Sequence, residues 1–233
     1  MKKIFLAFAA TLLFGTLAYA QDTKPDPAKI GVDSAQQRLK EQYVSKFEDP
    51  GFWRVSVPSD AGVISGRRLN GHPADQKPIA DEANAGIKEA DQYVLGVKTE
   101  FYGRTNTTIM VEPLRPMPVP GITKTISVWV IGRNNNHRLG ILVEDNFGNR
   151  NLLPMGKLNF SGWKQITVAV PPTLVQRNPH YIGQTGIKIM GFVIEPELTE
   201  TIGSYFIYFD DLTVVTDLFA EESRDPDDIP DSW

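Results

Sequence analysis

The stretch TISVWVIG, residues 125–132, alternates apolar side chains between the two sides of an extended backbone. Ile126, Val128 and Val130 fall on one side, and Ser127 and Trp129 fall on the other. A period of two residues is typical of a β-strand that packs one face against a hydrophobic core. The stretch therefore predicts a strand of a layered β protein.

The same alternation recurs along most of the chain, and turn-forming residues separate the repeats. Many short strands with almost no helix indicate an antiparallel β-sandwich, which we place at residues 47–216. The other strand-like segments are FWRVSV (52–57), YVLGVKTEFYG (93–103), RLGILVED (138–145), KQITVAV (164–170), IKIMGFVI (187–194) and YFIYFDDLTVV (205–215).

Residues 21–46 form a leader in which one short helix is predicted. In DSAQQRLKEQYVSKF, residues 33–47, Ser34 and Gln37 have the spacing of a capping box. Leu39, Tyr43 and Phe47 would share one face of that helix. The helix would end before the Asp-Pro-Gly sequence at 49–51.

Three segments interrupt the strand pattern. Residues 66–92 are long and polar and predict a loop. Residues 112–121 carry four prolines, which predicts extended chain outside a sheet. Residues 217–233 contain seven acids and one arginine, and such an acidic tail is expected to be disordered. Leu218, Phe219 and Trp233 are the residues by which it could dock.

The first twenty residues resemble a secretory signal peptide. Two lysines precede an apolar stretch at 4–17, and Ala18 and Ala20 offer a small-x-small cleavage pattern. The exported chain would begin near Gln21 and carry no membrane anchor. Without the two signal lysines, 22 basic residues face 28 acidic ones, which argues against nucleic acid as a partner. The absence of cysteine excludes disulfides and thiolate metal sites.

The sequence predicts no enzyme. The three histidines, His72, His137 and His180, lie in polar, loop-like sequence without metal-ligand spacing, and we interpret them as surface residues. Nucleophile, phosphate-binding and zinc-protease motifs are missing. EDNFGN, residues 144–149, has Phe147 where a calcium loop needs an oxygen ligand, so a hairpin turn with Gly148 at positive φ is predicted instead.

The strand-like YFIYFDDLTVV, residues 205–215, is apolar on both faces apart from two adjacent aspartates. Strict alternation would put Asp211 on the face of Phe209 and Asp210 on the face of Leu212. Both faces should therefore be covered, by the N-terminal helix, a loop or another protein. A buried carboxylate needs a cation or backbone N–H groups, so at least one aspartate should have such a partner.

Three segments together resemble jelly-roll carbohydrate-binding modules: FEDPGFW, EDNFGN with GKLNFSGWKQITVAVP, and SYFIYFDDLTV. The resemblance implies a jelly-roll sandwich with a structural calcium, for which Glu48, Asp49, Asp210 and Asp211 are the candidate ligands. It also implies an alternative function, glycan binding in the periplasm. The aromatic residues that could stack on sugar rings are Tyr102, Trp129, Trp163 and Tyr181.

The segments SVWVIGRNNNHRL and GKLNFSGWK, within a match over residues 47–216, resemble the flagellar filament outer-layer (sheath) proteins of spirochaetes. The resemblance implies a periplasmic structural protein that coats a core of flagellin subunits and modulates filament stiffness and curvature. Its partners would be flagellin, other coat proteins and neighbouring copies. From their place in the loops, we expect assembly contacts at Arg67, Arg68, Arg115, Pro116, Asn135 and His137.

Overall fold

The computed structural model describes residues 24–31, 36–49, 51–79, 91–177 and 185–219. Nearly all regular structure in these residues is β-strand, with two 3₁₀ turns at Pro27–Lys29 and Leu198–Glu200. The strands are β1 (Leu39–Ser45), β2 (Trp53–Ser56), β3 (Gly62–Asn70), β4 (Tyr93–Phe101), β5 (Ile109–Pro113), β6 (Met117–Val119), β7 (Ile122–Ile131), β8 (Arg138–Glu144), β9 (Arg150–Lys157), β10 (Trp163–Ala169), β11 (Ile187–Glu195) and β12 (Gly203–Asp217).

The strands form two antiparallel sheets. Sheet 1 has the order β10-β7-β12-β4-β3, and sheet 2 has the order β2-β5-β11-β8-β9. In each sheet one long central strand pairs along one edge with two shorter strands in succession. Strand β12 pairs with β4 and then with β1, and β11 pairs with β6 and then with β5. The predicted jelly-roll sandwich is confirmed.

The core lies between the two sheets. Ile126, Val128 and Val130 of β7 are fully buried, as the alternation in TISVWVIG predicts. Phe209 of sheet 1 stacks on Phe192 of sheet 2, with 4.9 Å between the ring centroids. Burial of each such side chain stabilises the fold by about 1.5–3 kcal/mol.

A β-bulge in β12 breaks the alternation of its side chains. Asp210 pairs with Trp129 and Thr213 pairs with Ser127, so two residues of β12 lie opposite one of β7. Asp211 has the left-handed φ of 42°. The predicted strict alternation therefore holds through Asp210 and is wrong after it: the core side continues with Leu212, while both aspartates face away from the core.

The predicted N-terminal helix is wrong over its described part. Residues 39–45 form strand β1, which pairs with residues 212–217 of β12. The pairing of β12 with β4 stops at Phe209, so β4 offers no partner to the rest of β12 on that side. Because pairing there satisfies the backbone of β12, it outweighs the local helical pattern. Ser34, the proposed cap, lies outside the described residues.

Two predicted loops also contribute strands. Residues 66–70 belong to edge strand β3, and residues 80–90 lie outside the described part. The proline-rich segment is extended, as predicted, but it does not stay outside the sheet, because Met117–Val119 forms β6. Pro118 is tolerated because β6 pairs with β11 only, which leaves one side of the strand without a partner strand in the described chain.

The chain ends fall partly outside the described residues, including the segment predicted to be a signal peptide and residues 220–233. Within the described part, no helix is long and apolar enough to cross a membrane. Leu218 is buried, and its N–H donates to the Arg38 carbonyl at 3.0 Å. Strand β12 therefore ends beside the start of β1.

Candidate functional site

Three aspartates meet on the face of sheet 1 that points away from the core. Asp91, Asp210 and Asp211 each have a carboxylate oxygen within 4.8 Å of those of the other two. Asp210 is 0% exposed and Asp211 is 1% exposed, while Asp91 is half-buried. We call this group the aspartate cluster.

Strand pairing brings the cluster together. The bulge in β12 directs both of its aspartates outward, and Asp91 lies two residues before β4, the neighbour of β12. Gln76, from the segment after β3, places its side-chain amide against the carboxylates of both Asp91 and Asp211. Loop residues therefore cover this end of the outer face of β12, one of the covers that the sequence left open.

The surroundings of Asp210 disfavour its charged form. Its Oδ1 accepts from the Asp211 N–H at 3.0 Å, while its Oδ2 has no hydrogen-bond partner among the described residues. Burial raises the pKa of Asp210 to about 8, with further upward contributions from Asp211, Asp91 and Glu48. A carboxylate in such surroundings is costly unless it is protonated or meets a cation.

The donor set of the cluster fits a hard divalent cation. Carboxylate and amide oxygens are the ligands that calcium prefers, and the three cluster residues supply no nitrogen or sulfur that would select zinc or copper. The two buried carboxylates, those of Asp210 and Asp211, and the half-buried carboxylate of Asp91 lie within 4.8 Å of one another. A divalent cation there would remove the repulsion between these carboxylates.

Of the four calcium ligands expected from sequence, two lie in the aspartate cluster and two do not. Asp210 and Asp211 lie together, whereas Asp49 is exposed and is not in the cluster. Glu48 Oε1 accepts from the backbone N–H groups of Gln92 at 2.6 Å and Tyr93 at 2.8 Å, so this carboxylate fixes the chain next to Asp91. The third cluster member, Asp91, was missed, because nothing in its polar loop marks it out.

The proposed sugar-stacking residues do not form one platform. Trp129 and Trp163 are half-buried on the outer face of sheet 1, on the adjacent strands β7 and β10. Neither belongs to the hydrophobic core between the sheets. Tyr102 is 67% exposed and follows the end of β4, on the far side of β12 from the two tryptophans. Tyr181 lies outside the described residues.

Five of the six expected assembly contacts have side chains that reach the surface. Arg67, Arg68, Arg115 and Pro116 are exposed, and Asn135 is half-buried.

His137 is the exception, and its assignment as a surface residue is wrong. It is 1% exposed, and its Nδ1 accepts from the Glu197 N–H at 3.0 Å. Its ring meets Tyr205 edge-on, with 4.4 Å between centroids. Burial lowers the pKa of His137, and the nearby Glu200 and Glu197 act in the opposite direction.

The turn EDNFGN is the predicted hairpin, with Gly148 at φ 84° between β8 and β9. Asp145 Oδ1 accepts from the N–H groups of Phe147 at 2.9 Å and Asn149 at 2.8 Å. Its Oδ2 accepts from Asn149 Nδ2 at 3.0 Å. Its carboxylate is satisfied by its own turn.

Solved structures similar to this chain include two carbohydrate-binding modules. The module TmCBM61, in complex with β-1,4-galactotriose, is 14% identical, with 74% of this chain and 90% of that chain covered and a TM-score of 0.38. The family 11 module of a cellulosomal cellulase of Clostridium thermocellum is 12% identical, with 76% and 95% covered and a TM-score of 0.42. At these TM-scores, nothing about ligands is transferred from them.

Sequence comparison is more specific. A putative flagellar filament outer layer-like protein of Brachyspira hyodysenteriae is 35% identical over 91% of this chain and 95% of its own length. A flagellar filament outer layer protein of Spirochaeta aurantia is 29% identical over 46% of this chain and 35% of its own length. The family described as flagellar filament outer layer protein FlaA matches residues 15–224. The chain belongs to this family of flagellar filament outer layer proteins.

Proposed function

We propose that this chain is a structural subunit of the outer layer of a periplasmic flagellar filament, where it coats the flagellin core and modulates filament stiffness and curvature. The observation that carries the proposal is the family match over residues 15–224, which includes every strand of both sheets. After export and cleavage near Ala20, the sandwich would bind flagellin, other coat proteins and further copies of itself.

Two projecting turns are suited to such contacts. Arg133 and Asn134 are exposed, with left-handed φ values of 57° and 58°. The next residues are held in place, because Asn136 donates through its backbone N–H and its side chain to both carboxylate oxygens of Glu200, at 2.7 and 2.8 Å. A pre-ordered turn loses little conformational entropy when it binds.

The second turn lies between β5 and β6. Leu114 is 63% exposed, and Arg115 and Pro116 beside it are exposed as well. Two different patches that meet different neighbours form a heterologous interface, the kind that extends along a filament. We assign filament contacts to these two turns.

Co-sedimentation with purified filament core tests this assignment. Replacement of residues 133–135 and 114–116 by alanine should abolish pelleting of the folded protein. An alanine block at the exposed 58–60 turn, between β2 and β3, serves as the matched control. If the block variants pellet like the wild type, the assigned contacts are wrong; if the wild type does not pellet with the core or with other coat proteins, the coat function is wrong.

Stiffness needs its own measurement. Filament cores with and without bound protein can be compared by their thermal bending in solution. The proposal requires a longer persistence length, or a changed resting curvature, in the coated filament. Coating without either change would leave a coat subunit that has no mechanical role.

A glycan-binding function is the second candidate, and the half-buried Trp129 and Trp163 on one outer face favour it. Titration of the protein with a glycan panel should then change tryptophan fluorescence, and Trp163→Ala should remove the response. Binding of filament core that is indifferent to Trp163→Ala and to added glycans would count against this candidate.

We also propose that the aspartate cluster binds a structural calcium ion through Asp91, Asp210 and Asp211, with Glu48 supporting the site from the adjacent backbone. The support is the partnerless, buried Oδ2 of Asp210 amid two further carboxylates. Calcium would link β12 to the segment before β4.

Titration of chelator-treated protein with calcium chloride in a calorimeter should show one site, which Asp210→Asn removes. Absence of heat and of any thermal shift in the wild type would eliminate the site.

A further inference from the structure

One side of the sandwich presents two strands with open edges. Strand β1 pairs with β12 alone and β6 pairs with β11 alone among the described strands. The Leu218 N–H donates to the Arg38 carbonyl, so the backbone groups of Arg38 point toward β12. Because direction alternates along a strand, the backbone groups of Leu39, Glu41 and Tyr43 point away from the sheet. Open edges of this kind attract other extended chain.

A groove of about 770 Å³ runs between these two strand edges. Consecutive residues 42–49 line one side and 115–120 line the other, as expected for a groove that follows two backbones. Its floor is apolar, with Phe52, Met117 and Val119. An extended segment that carries a few large apolar side chains would fit it.

The described chain ends beside the start of β1, one of the two strands that border the groove. Strand β12 ends at Asp217, paired with Leu39 at the start of β1, and the described chain stops at Phe219. Residues 220–233 extended would reach about 46 Å, at roughly 3.3 Å per residue. Strand β1 has seven residues and spans only about 23 Å. The segment is therefore long enough to follow β1 and enter the groove.

Charge and apolar residues follow the same order in the segment and along this path. The segment AEESRDPDDIPDSW begins with most of its acids and carries Ile229 and Trp233 in its last five residues. The path begins with Arg38 and Lys40, which the exposed acid Glu41 follows, and it ends at the apolar floor. Between them lies Lys46, which is 9% exposed and has its ammonium 4.3 Å from the centroid of the Tyr43 ring. Arg115 lines the opposite side of the groove. The acids that line the groove are Glu48, whose Oε1 accepts from two backbone N–H groups, and the exposed Asp49.

We propose that residues 220–233 dock in the groove between β1 and β6 of the same chain, with their acids along Arg38, Lys40 and Lys46 and with Ile229 and Trp233 on the apolar floor. The segment covers both open edges and keeps the free subunit from pairing edge to edge with another copy. This assignment is independent of the proposed coat function, since it concerns the isolated protein.

Because the chain contains no cysteine, a single introduced pair tests the docking. Ser232→Cys is combined with Pro116→Cys in the chain from Gln21 to Trp233. The matched control combines Ser232→Cys with Ser161→Cys, an exposed turn position between β9 and β10 on the opposite side of the sandwich. Under mild oxidation, the groove pair should form an intrachain disulfide about tenfold faster than the control, the ratio that 1.4 kcal/mol of docking free energy produces.

Charge provides the second arm of this experiment. Asp227→Asn with Asp228→Asn, added to the groove pair, should slow the cross-link several-fold, as should molar salt. Equal rates for the groove pair and the control pair would overturn the proposal. Covalent dimers in place of an intrachain bond would also overturn it, and would assign the groove to a second copy.

Hydrogen exchange tests the same docking without cysteines. In the full chain, Ile229→Ser with Trp233→Ser should speed exchange at the outward amides of Leu39, Glu41 and Tyr43 at least several-fold. Amides of the central strand β11 serve as the internal reference and should not change. Exchange at β1 that is indifferent to these substitutions would contradict the docking.

Discussion

Asp145 and Asp210 are both buried, at 7% and 0% exposure, yet their surroundings differ in kind. Asp145 receives three hydrogen bonds from residues within four positions of itself. Asp210 receives one, from the next residue, and two of the carboxylates near it, Asp91 and Glu48, come from segments more than one hundred residues away. A local turn satisfies its own carboxylate, whereas the aspartate cluster depends on the assembled sandwich.

The electrostatics follow the same division. Burial acts to raise the pKa of Asp145, but hydrogen bonds from Asn149, Phe147 and Gly148 outweigh it, and the pKa is lowered. For Asp210, burial and three neighbouring carboxylates act together, and the pKa is raised to about 8. One aspartate therefore stabilises the fold as an anion, and the other does so only if protonated or bound to a cation.

Calcium should produce the largest difference between the two sites. At a free concentration one hundred times the dissociation constant, a single structural ion stabilises the folded state by about 2.7 kcal/mol. Thermal melts of wild-type protein with calcium or with chelator should differ accordingly. The shift should vanish in Asp210→Asn and persist in Asp145→Asn. If Asp210→Asn keeps the full shift, the ion binds elsewhere.

Asp145→Ala should destabilise the protein by about 2 kcal/mol, because the N–H groups of Phe147 and Asn149 lose a charged acceptor. The loss should be the same with calcium and with chelator, as measured by urea unfolding. Asp60→Ala, at an exposed position of another turn, is the control and should change stability by less than about 0.5 kcal/mol. A loss that calcium reverses would mean that the turn itself binds the ion.

With chelator present, the two aspartates should give opposite pH dependence. The lowered pKa of Asp145 contributes stability above about pH 3.8, and this is lost as pH falls below that value. The raised pKa of Asp210 contributes stability at low pH, and this is lost as pH rises from about 4 to about 8. Unfolding free energies of wild type and Asp210→Asn should diverge across that upper range. Parallel curves would show that Asp210 ionises normally.

The smallest effect is expected at Asp49, which sequence resemblance included among the ligands and the structure leaves outside the cluster. Asp49→Asn should change stability by less than about 0.5 kcal/mol and leave the calcium response intact. Asp91→Asn, the matched change inside the cluster, should weaken calcium binding measured by calorimetry. The reverse result would restore the ligand set expected from sequence.

Alternation of apolar residues predicted most strands correctly because the core side of a strand repeats every two residues, as in Ile126, Val128 and Val130. The helical pattern of Leu39, Tyr43 and Phe47 failed for a physical reason. A helix satisfies its own backbone, but β12 has a long open side that only another strand can satisfy, and residues 39–45 are that strand.

Local sequence also could not predict His137 or Asp91. His137 follows three asparagines in a polar turn, but the segment around Glu197 folds over it and donates to its ring. Asp91 lies in a polar stretch like many others, and it gains its role only because β4 pairs with β12. Each depends on a contact between residues far apart in the chain.

The sequence by itself determined the β-sandwich, the hairpin at EDNFGN and the family resemblance, since each rests on a periodic or short-range pattern. The tertiary structure alone decided the bulge at Asp211, the conversion of residues 39–45 into a strand and the meeting of Asp91 with Asp210. The physical reason is that backbone hydrogen bonds and buried charges must be satisfied by whatever the fold brings near. Residue spacing cannot specify those neighbours before the two sheets have packed.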